Sequence, residues 1–512
     1  MLVKTYGSAV FGIDATTITI EVNASAGIKF FLVGLPDNAV KESHYRIEAA
    51  LKNTGYRIPG KKFIINMAPA DIRKEGSAYD LPLAIGILAS THQVKAEQLK
   101  DFVIMGELSL DGGLQPIKGA LPIAIQARKE GFKGLIVPKA NAKEAAIVNN
   151  LDVYGIENIK ELIDFLNGKI DLNPLFVDTR KEFFDAVQQS DIDFSDVKGQ
   201  RNIKRSLEIA AAGGHNVILI GPPGSGKTML AKRIPGILPP LSLNEALETT
   251  KIHSVSGRMS DNTSLLTTRP FRSPHHTISD VALVGGGAFP QPGEISLSHN
   301  GVLFLDELPE FKRVVLEVMR QPLEDRIVTI SRAKFSVDFP ASFMLVASMN
   351  PCPCGFYNHP EKECLCSPGV VQKYLSKISG PLLDRIDLHV EVTPVKFDEL
   401  ADKSKSESSV VIRKRVIRAR EIQLNRYSES DSIHCNAQIN SKLIKEHCEL
   451  SIEGQSLLKN AMKKLELSAR AYDRILKVAR TIADLEGAER IDTPHIAEAI
   501  QFRSLDRSDW AG

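Results

Sequence analysis

The run GPPGSGKT carries the clearest chemistry in this sequence. It spans Gly221–Thr228, follows the apolar run Val217–Ile220 and precedes a helical segment from Met229. A strand, a glycine-rich loop and a helix in that order let backbone N–H groups and the helix N-terminus surround a phosphate. Lys227 can reach the β- and γ-phosphates, and Thr228 can offer its hydroxyl to Mg²⁺. The predicted ATP contacts are Gly221, Pro222, Pro223, Gly224, Ser225, Gly226, Lys227 and Thr228.

Two further apolar runs end in residues that suit phosphoryl transfer. Val302–Leu305 leads into Asp306 and Glu307, and Phe343–Ala347 leads towards Asn350. Asp306 is predicted to hold Mg²⁺ with Thr228, and Glu307 to polarise the attacking water. Asn350 either holds that water or the γ-phosphate, or forms a turn before the proline that follows it.

Four cysteines lie together immediately after Asn350. Cys352, Cys354, Cys364 and Cys366 form two C-x-C pairs, and four thiolates suit tetrahedral Zn²⁺. The pairs are tighter than the commoner C-x₂-C spacing. The alternatives are free thiols, disulfides, or replacement of one ligand by the nearby histidine, His359. The favoured interpretation is a structural zinc loop beside the catalytic edge.

The composition is typical of a folded protein of about three domains at roughly 100–200 residues each. The chain has 512 residues, 43% of them hydrophobic, and a net charge of +2. A charge near zero gives no global sign of nucleic-acid binding. The sequence shows neither a secretion signal nor an apolar run of the roughly 20 residues that span a bilayer, so a cytoplasmic location without membrane contact is predicted.

The order of elements predicts an α/β multidomain protein. Residues 1–170 alternate predicted strands with predicted helices, and 171–196 form an acidic linker. The nucleotide-binding core occupies 197–395, and helices follow in 396–512. Thr493 is predicted to cap the last helix, with Pro494 at the first helical position. The strands predicted before residue 170 are Ile18–Val22, Ile28–Val33, Phe63–Met67, Phe102–Met105 and Gly134–Val137.

The core contains more chain than a phosphate loop and its strands require. Glycine- and proline-rich segments at Arg269–Ser279 and Val284–Gly301 are predicted to be extended loops near a central pore. His275 and His276 are predicted to be structural or surface residues. A hairpin is predicted between residues 327 and 339.

A run of cations, IRKRVIRAR, follows the core. It is either a helix that contacts DNA phosphates or a solvated helix face with Val416 and Ile417 packed inward. Both interpretations stay open. Its charged members, with one residue beyond the run, are Arg413, Lys414, Arg415, Arg418, Arg420 and Arg426.

The set GPPGSGKT, LFLDEL, SMNP and LLDRID resembles AAA+ ATPases of the magnesium-chelatase-like branch. The resemblance implies that Arg385 is an arginine finger, which reaches the γ-phosphate bound by the next subunit. The alternative for Arg385 is a salt bridge to Asp384 or Asp387. The resemblance also implies that the helical lid returns an arginine to the nucleotide. Arg470 fits that position best, and Arg474 is its rival.

The first 170 residues narrow the resemblance to the YifB/ComM family. The segments that carry it are Val33–Ser43, Asn66–Leu88 and Gly106–Ala127. It implies an N-terminal Lon-protease-like α+β domain of the ribosomal S5 type at 1–170. After this domain would come a linker at 171–196, a P-loop AAA+ α/β core at 197–395 with the four-cysteine loop at 351–367, and a helical lid domain at 396–512.

Proteolysis of the Lon type needs a serine activated by a lysine. In the resemblance, Tyr79 or Asp80 stands near the serine position and Leu121 near that of the lysine. Ser77 and Lys118 are offset from these positions. The N-terminal domain is therefore predicted to keep the protease fold without the catalytic dyad.

The resemblance further implies a homo-hexameric ring that uses ATP and Mg²⁺ to move DNA, as a branch-migration helicase in the recombination of transforming DNA. One alternative is a chelatase-like chaperone ATPase that assists metal insertion or protein remodelling. An ATP-dependent protease is the weakest alternative, because the dyad is missing.

Overall fold

The computed structural model describes residues 1–179, 183, 192–259, 263–287, 290–332, 335–357, 359, 361–395, 406–430, 433–503 and 505. The predicted linker at 171–196 and the start of the predicted lid domain at 396 lie partly outside these residues. None of the described helices combines the length and the apolar character needed to cross a bilayer.

The strands are β1 (Leu2–Phe11), β2 (Asp14–Ala26), β3 (Phe30–Val33), β4 (Lys61–Ala68), β5 (Phe102–Ile104), β6 (Glu107–Leu108), β7 (Leu114–Gln115), β8 (Gly134–Pro138), β9 (Asp152–Ile156), β10 (Val217–Ile220), β11 (Phe271–Arg272), β12 (Gly285–Gly286), β13 (Gln291–Pro292), β14 (Val302–Leu305), β15 (Ile327–Arg332), β16 (Phe335–Pro340), β17 (Met344–Met349) and β18 (Leu388–Glu391).

The α-helices are α1 (Asn38–Lys41), α2 (Ser43–Asn53), α3 (Asp80–Ser90), α4 (Ala120–Lys129), α5 (Lys139–Ala145), α6 (Ile159–Leu166), α7 (Arg201–Gly213), α8 (Lys227–Ala231), α9 (Leu243–Ser256), α10 (Asp280–Val284), α11 (Glu294–Leu297), α12 (Arg313–Val318), α13 (Arg320–Asp325), α14 (Pro368–Leu375), α15 (Gly380–Leu383), α16 (Ser409–Arg426), α17 (Ser441–His447), α18 (Ile452–Lys464), α19 (Ala469–Glu486) and α20 (Thr493–Gln501). Short 3₁₀ turns lie at Ser77–Tyr79, Leu99–Asp101, Phe194–Asp196, Ile234–Gly236, Leu308–Glu310 and Asn436–Gln438.

The N-terminal part is built on a seven-stranded mixed sheet, in the order β3-β4-β2-β1-β5-β8-β9. β1 and β2 form a long antiparallel hairpin, and β1, β5, β8 and β9 pair in parallel. Helix α3 is buried along its whole length against this sheet, as its apolar sequence LPLAIGILA requires. Helix α9 of the following part joins the same core through Ala246.

The second sheet is parallel, in the order β11-β14-β17-β10-β18. Its central strands β10, β14 and β17 are buried at every residue, which explains their continuous apolar runs. Because the strands are parallel, the loops that follow β10, β14 and β17 meet at one edge of the sheet. The segments that precede β10 and β18 meet at the opposite edge.

The C-terminal helices pack on one face of this sheet. Helix α19 contacts α7, α16 and α20, and its residues Ile475, Ala479 and Ile482 join the core that contains Val217 and Leu219 of β10. The other face carries the hairpin β15–β16 and its own core. Helices α16 to α20 lie in the region 396–512, where the sequence predicts helices.

The predicted hairpin between 327 and 339 is confirmed as β15–β16. Other predicted boundaries needed correction. The strand pattern missed β1 and β9, and helix α8 begins at Lys227, two residues before the predicted Met229. Asp492, and not Thr493, is the N-cap of α20, since the Asp492 N–H donates to the His495 ring at 2.9 Å.

Candidate functional site

The phosphate loop follows β10 in the predicted strand–loop–helix order. Gly224 and Gly226 have φ of +77° and +88°, a region that side-chain-bearing residues rarely adopt. A Cβ at Gly221 would collide with the carbonyl oxygen of Val392. The glycines therefore satisfy geometric requirements of the loop that a residue with a side chain would not meet.

Lys227 begins helix α8 and points back into the loop. Its Nζ donates to the carbonyl oxygens of Gly221 at 2.8 Å and Pro222 at 2.9 Å, and to Asn350 Oδ1 at 3.2 Å. Burial lowers the pKa of Lys227, and the negative charges of Asp306 and Glu307 oppose that effect. A bound phosphate would offer this ammonium group a stronger partner than two neutral carbonyls.

Thr228 and Asp306 lie together, as predicted for a magnesium site. The Thr228 hydroxyl donates to Asp306 Oδ2 at 2.7 Å. Ser348 on β17 donates to the other oxygen, Oδ1. Hydroxyl and carboxylate oxygens are suitable Mg²⁺ ligands. The sequence alone does not indicate this role of Ser348, because its contact with Asp306 depends on β14 and β17 being neighbours.

Glu307 lies at the open end of β14 and is largely exposed. Its backbone has a φ of +55°, a left-handed conformation that directs the chain sharply after Asp306. His276 Nδ1 lies 3.6 Å from Glu307 Oε2. The loop that carries His276 thus reaches the predicted catalytic carboxylate, a contact that no motif in the sequence indicates.

Gln200 also contacts the phosphate loop, although no pattern in the sequence indicates it. Its side-chain Nε2 donates to the Ser225 carbonyl at 2.9 Å. Gln200 precedes helix α7 with a φ of +52° and joins the start of the core to the phosphate loop. No recognisable motif marks this position.

Arg385 lies at the sheet edge opposite the phosphate loop. It precedes β18, whereas the loop follows β10, and Val217 of β10 is in register with Leu388 of β18. The two edges are separated by the length of the four paired residues of β10 and β18, which is about 13 Å at a rise of roughly 3.3 Å per residue. Arg385 donates to the Pro381 carbonyl at 2.7 Å and pairs with Glu324.

Both candidate lid arginines also lie at that far edge. Arg470 Nη1 is 3.7 Å from Asp384 Oδ2, and Arg474 Nη1 is 3.0 Å from Asp387 Oδ1. The structure therefore does not bring Arg470 or Arg474 to the phosphate loop of the same chain. The reason is that α19 packs beside the beginning of β18 and not over the loop.

The four cysteine sulfurs converge. All four Sγ atoms lie within 4.8 Å of one another, and three of the separations are 3.3, 3.5 and 3.7 Å. A tetrahedron with Zn–S bonds of about 2.3 Å has edges of about 3.8 Å, so the donor set fits zinc. The Phe356 N–H lowers the pKa of Cys354 to about 6. His359 is not a member of this group of possible ligands, and its Nδ1 accepts the N–H groups of Glu361 and Lys362.

The cysteine loop touches the phosphate loop directly. Gly355 has a φ of +83°, and a Cβ there would overlap Pro223 Cδ. Asn350, which accepts from Lys227, stands two residues before Cys352. A metal held by the cysteines would therefore fix a wall of the nucleotide site.

The cationic run lies on helix α16, and much of it has structural partners. Arg415 pairs with Glu407, Arg426 Nη1 lies 2.9 Å from Asp484 Oδ2, and Arg420 donates to the Ala211 carbonyl. Val416 is buried, as a solvated helix face with an apolar inner side requires. Lys414 and Arg418 remain exposed.

The two segments before β14 that were predicted to be extended loops contain short elements, β11 in the first and β12, β13 and α11 in the second, and both are tied to the core. Arg269 donates to Glu245, and Arg272 Nε donates to Glu294 at 2.6 Å. Residues 288 and 289 of the second loop lie outside the described residues. A pore-lining role for these loops remains a prediction.

In the N-terminal part, Ser77 donates to Glu107 and not to a lysine. Asp80 is buried and accepts two hydrogen bonds from Arg46, at 2.7 and 2.9 Å. Leu121 is buried in helix α4. Two of the positions that the resemblance aligns with the dyad therefore lie in an ion pair, at Asp80, and in the apolar core, at Leu121.

Comparisons with known proteins cover almost the whole chain. Family models described as magnesium chelatase subunit ChlI match residues 193–400, subunit ChlI of Mg-chelatase residues 20–141, and the ChlI C-terminal region residues 406–503. The chain is 46% identical over 508 residues to the competence protein ComM of Haemophilus influenzae, which covers 98% of this chain and 97% of ComM. It is 45% identical over 503 residues to YifB of Escherichia coli, which covers 98% of this chain and 96% of YifB. Lon protease 2 of Bacillus subtilis is 29% identical over 189 residues, which are 31% of this chain and 33% of that protein.

Proposed function

Because this chain belongs to the YifB/ComM family of magnesium-chelatase-like AAA+ ATPases, we propose that it is a ring-forming motor that hydrolyses ATP to move DNA. The activity that we propose for this motor is branch migration during the recombination of transforming DNA. Its Haemophilus influenzae relative is named a competence protein, which supports a role in handling incoming DNA.

One observation carries the motor proposal. The phosphate loop and Arg385 lie at opposite edges of the same parallel sheet. An arginine finger on this chain therefore needs a phosphate loop from another copy, and a head-to-tail interface of that kind forms a ring when the rotation between successive copies closes. We take the ring to be a homo-hexamer, as the family resemblance implies.

The site residues have separate roles in the proposed hydrolysis. Lys227 leaves its carbonyl partners and binds the β- and γ-phosphates, while Glu307 orients a water for in-line attack on the γ-phosphorus. Thr228 and Asp306 would hold Mg²⁺, which neutralises charge on the β- and γ-phosphate oxygens. Asn350 positions the water or the γ-phosphate, and ADP leaves with the bridging oxygen.

The arginines would complete the site from the next subunit. Arg385 would spread positive charge over the transferring phosphoryl oxygens. Arg470 lies beside Asp384, one residue from Arg385. Both arginines would thus approach the neighbour's nucleotide from one edge of the sheet.

The remaining parts of the chain support the motor in this proposal. Residues 1–170 form a Lon-protease-like domain without its dyad, 197–395 the ATPase core and 396–512 the helical lid domain. Cys352, Cys354, Cys364 and Cys366 hold a structural Zn²⁺ that braces the phosphate loop through Gly355 and Pro223. A cytoplasmic location stays a prediction.

The decisive experiment is ATP-dependent unwinding of a branched DNA by the full-length protein. Wild type is expected to unwind it, whereas Lys227→Ala should lose ATP binding and Glu307→Gln should bind ATP without hydrolysing it. Lys232→Ala is the matched control, since this exposed lysine lies just beyond α8. A wild-type protein that hydrolyses ATP but neither binds nor unwinds branched DNA would exclude the DNA motor.

A chelatase-like chaperone is the second candidate, because all three matching family models describe the ChlI subunit. It predicts that the protein stimulates metal insertion into a porphyrin when mixed with chelatase partner subunits. If the protein does not stimulate metal insertion but does unwind DNA, the result supports the DNA motor over the chaperone.

A further inference from the structure

A polar cavity of about 440 Å³ lies at the far edge of the parallel sheet, away from the phosphate loop. Asn216, Gly301, Met344 and Asp387, which precede or begin four of the strands, form its floor. The C-terminal part, including helix α19, forms much of the opposite wall. A volume of this size suits a small-molecule ligand, for which pockets of roughly 300–1,000 Å³ are usual.

Most carboxylates in the wall already have a cationic partner. Three pairs account for them: Glu245 with Arg269, Glu324 with Arg385, and Asp387 with Arg474. These pairs neutralise the three carboxylates, although Arg385 itself does not line the cavity. The remaining wall residues therefore decide its electrostatic character.

Three further cations line the cavity against one further carboxylate. These cations are Arg326, Arg420 and Lys477, and the carboxylate is Asp473. Because Arg385 lies outside the lining, the lining residues as a whole carry one positive charge in excess of their carboxylates. Lys477 Nζ donates only to the Ala437 carbonyl, at 3.2 Å, among the contacts of the described residues. In the same described part of the chain, the Arg326 guanidinium makes neither a hydrogen bond nor an ion pair.

An excess of positive charge that is buried inside a protein destabilises the folded state. Unpaired charges lose their hydration on burial, and neutral carbonyls compensate only part of that loss. Lys477 is buried, and this burial lowers its pKa to about 8. Arg326 cannot shed its proton, and it stands at φ +58° after α13, a position that glycine usually occupies.

We propose that this cavity binds a phosphate group through Arg326, Arg420 and Lys477. A phosphate anion would give the Arg326 guanidinium and the Lys477 ammonium group a charged partner, and guanidinium groups bind phosphate oxygens through paired N–H donors. The group can be free inorganic phosphate or the phosphate chain of a nucleotide, since both present the same chemistry. This site is separate from the phosphate loop and does not depend on the proposed action on DNA.

The test measures ligand binding by calorimetry to the full-length chain carrying Lys227→Ala, so that the phosphate loop contributes little. Inorganic phosphate, pyrophosphate and ATP are titrated separately. Binding of about one ligand per chain is expected, and Arg326→Gln or Lys477→Gln should each weaken it by about tenfold or more. Binding of ATP without binding of inorganic phosphate would identify a nucleotide as the source.

Arg418→Gln is the matched control, because Arg418 is exposed on the same helix as Arg420 and does not line the cavity. It should bind as tightly as the parent. Thermal unfolding checks that each variant folds, and Arg326→Gln alone decides the test if the more buried Lys477→Gln does not fold. The proposal is overturned if no phosphate compound binds, or if Arg326→Gln and Arg418→Gln bind equally well.

Discussion

Arg474 Nη1 lies 3.0 Å from Asp387 Oδ1, and this ion pair holds helix α19 at the beginning of β18. His215 Nδ1 is 3.3 Å from the other oxygen of Asp387. Burial alone would raise the pKa of Asp387, but the Arg474 charge and the His215 hydrogen bond outweigh it and hold that pKa below its ordinary value. The C-terminal helices are therefore anchored away from the phosphate loop of their own chain.

Arg385→Ala should abolish most ATP hydrolysis while leaving ATP binding intact. An arginine finger contributes a factor of about 10³ or more to the rate, so a loss of that size is expected in steady-state ATPase assays. Mixing Arg385→Ala with Lys227→Ala should restore roughly a quarter of the wild-type rate, because random assembly joins an intact loop to an intact arginine at that frequency. Two inactive variants that stay inactive on mixing would contradict an arginine that acts between subunits.

Ser348→Ala should weaken magnesium activation of the ATPase. Ser348 donates to Asp306 Oδ1 and so orients the carboxylate that is expected to hold the metal. Residues that orient a metal ligand typically contribute about tenfold or more to metal affinity. The Mg²⁺ concentration for half-maximal activity should rise by about that factor, while Ser376→Ala, at the exposed end of α14, leaves it unchanged.

Cys352→Ser should release zinc and weaken nucleotide binding together. The sulfur cluster fits a tetrahedral ion, and Gly355 within the same loop abuts Pro223. Elemental analysis should find about one zinc per wild-type chain, and none in the variant. Cys448→Ser is the control, since that buried cysteine lies outside the cluster. Wild-type protein with far less than one zinc per chain would rule out the metal.

Lys477 should make stability rise with pH in the alkaline range. Its pKa is about 8 in the folded protein, below the unfolded value of about 10.4, so the unfolded chain binds the proton more tightly. The lysine therefore disfavours folding below pH 8, and this penalty disappears as the pH rises towards 10.4. The difference in unfolding free energy between wild type and Lys477→Gln should shift in favour of wild type over that range.

Added phosphate should flatten this pH dependence, because an anion beside Lys477 favours its charged form. Urea unfolding at several pH values, with and without phosphate, measures both effects. A difference between wild type and variant that stays constant from about pH 8 to about pH 10.4 would contradict the lowered pKa.

Local patterns were sufficient for several parts of the site. GPPGSGKT predicted its strand, loop and helix, and the apolar run before Asp306 predicted a buried strand that ends beside that carboxylate. The hairpin between 327 and 339 was also predictable, because apolar and polar residues alternate on either side of its turn. In each case the interacting residues are neighbours in the chain, so their spacing alone carries the geometry.

The sequence by itself thus determined that this chain carries a nucleotide-binding loop, groups four cysteines and belongs with magnesium-chelatase-like ATPases. Only the tertiary structure decided where the distant residues meet. Ser348 reaches Asp306 because β14 and β17 are adjacent, and Arg474 reaches Asp387 because α19 packs beside β18. The phosphate loop and the arginines lie at opposite edges because, in a parallel sheet, loops that leave the strands share one edge and segments that enter them share the other.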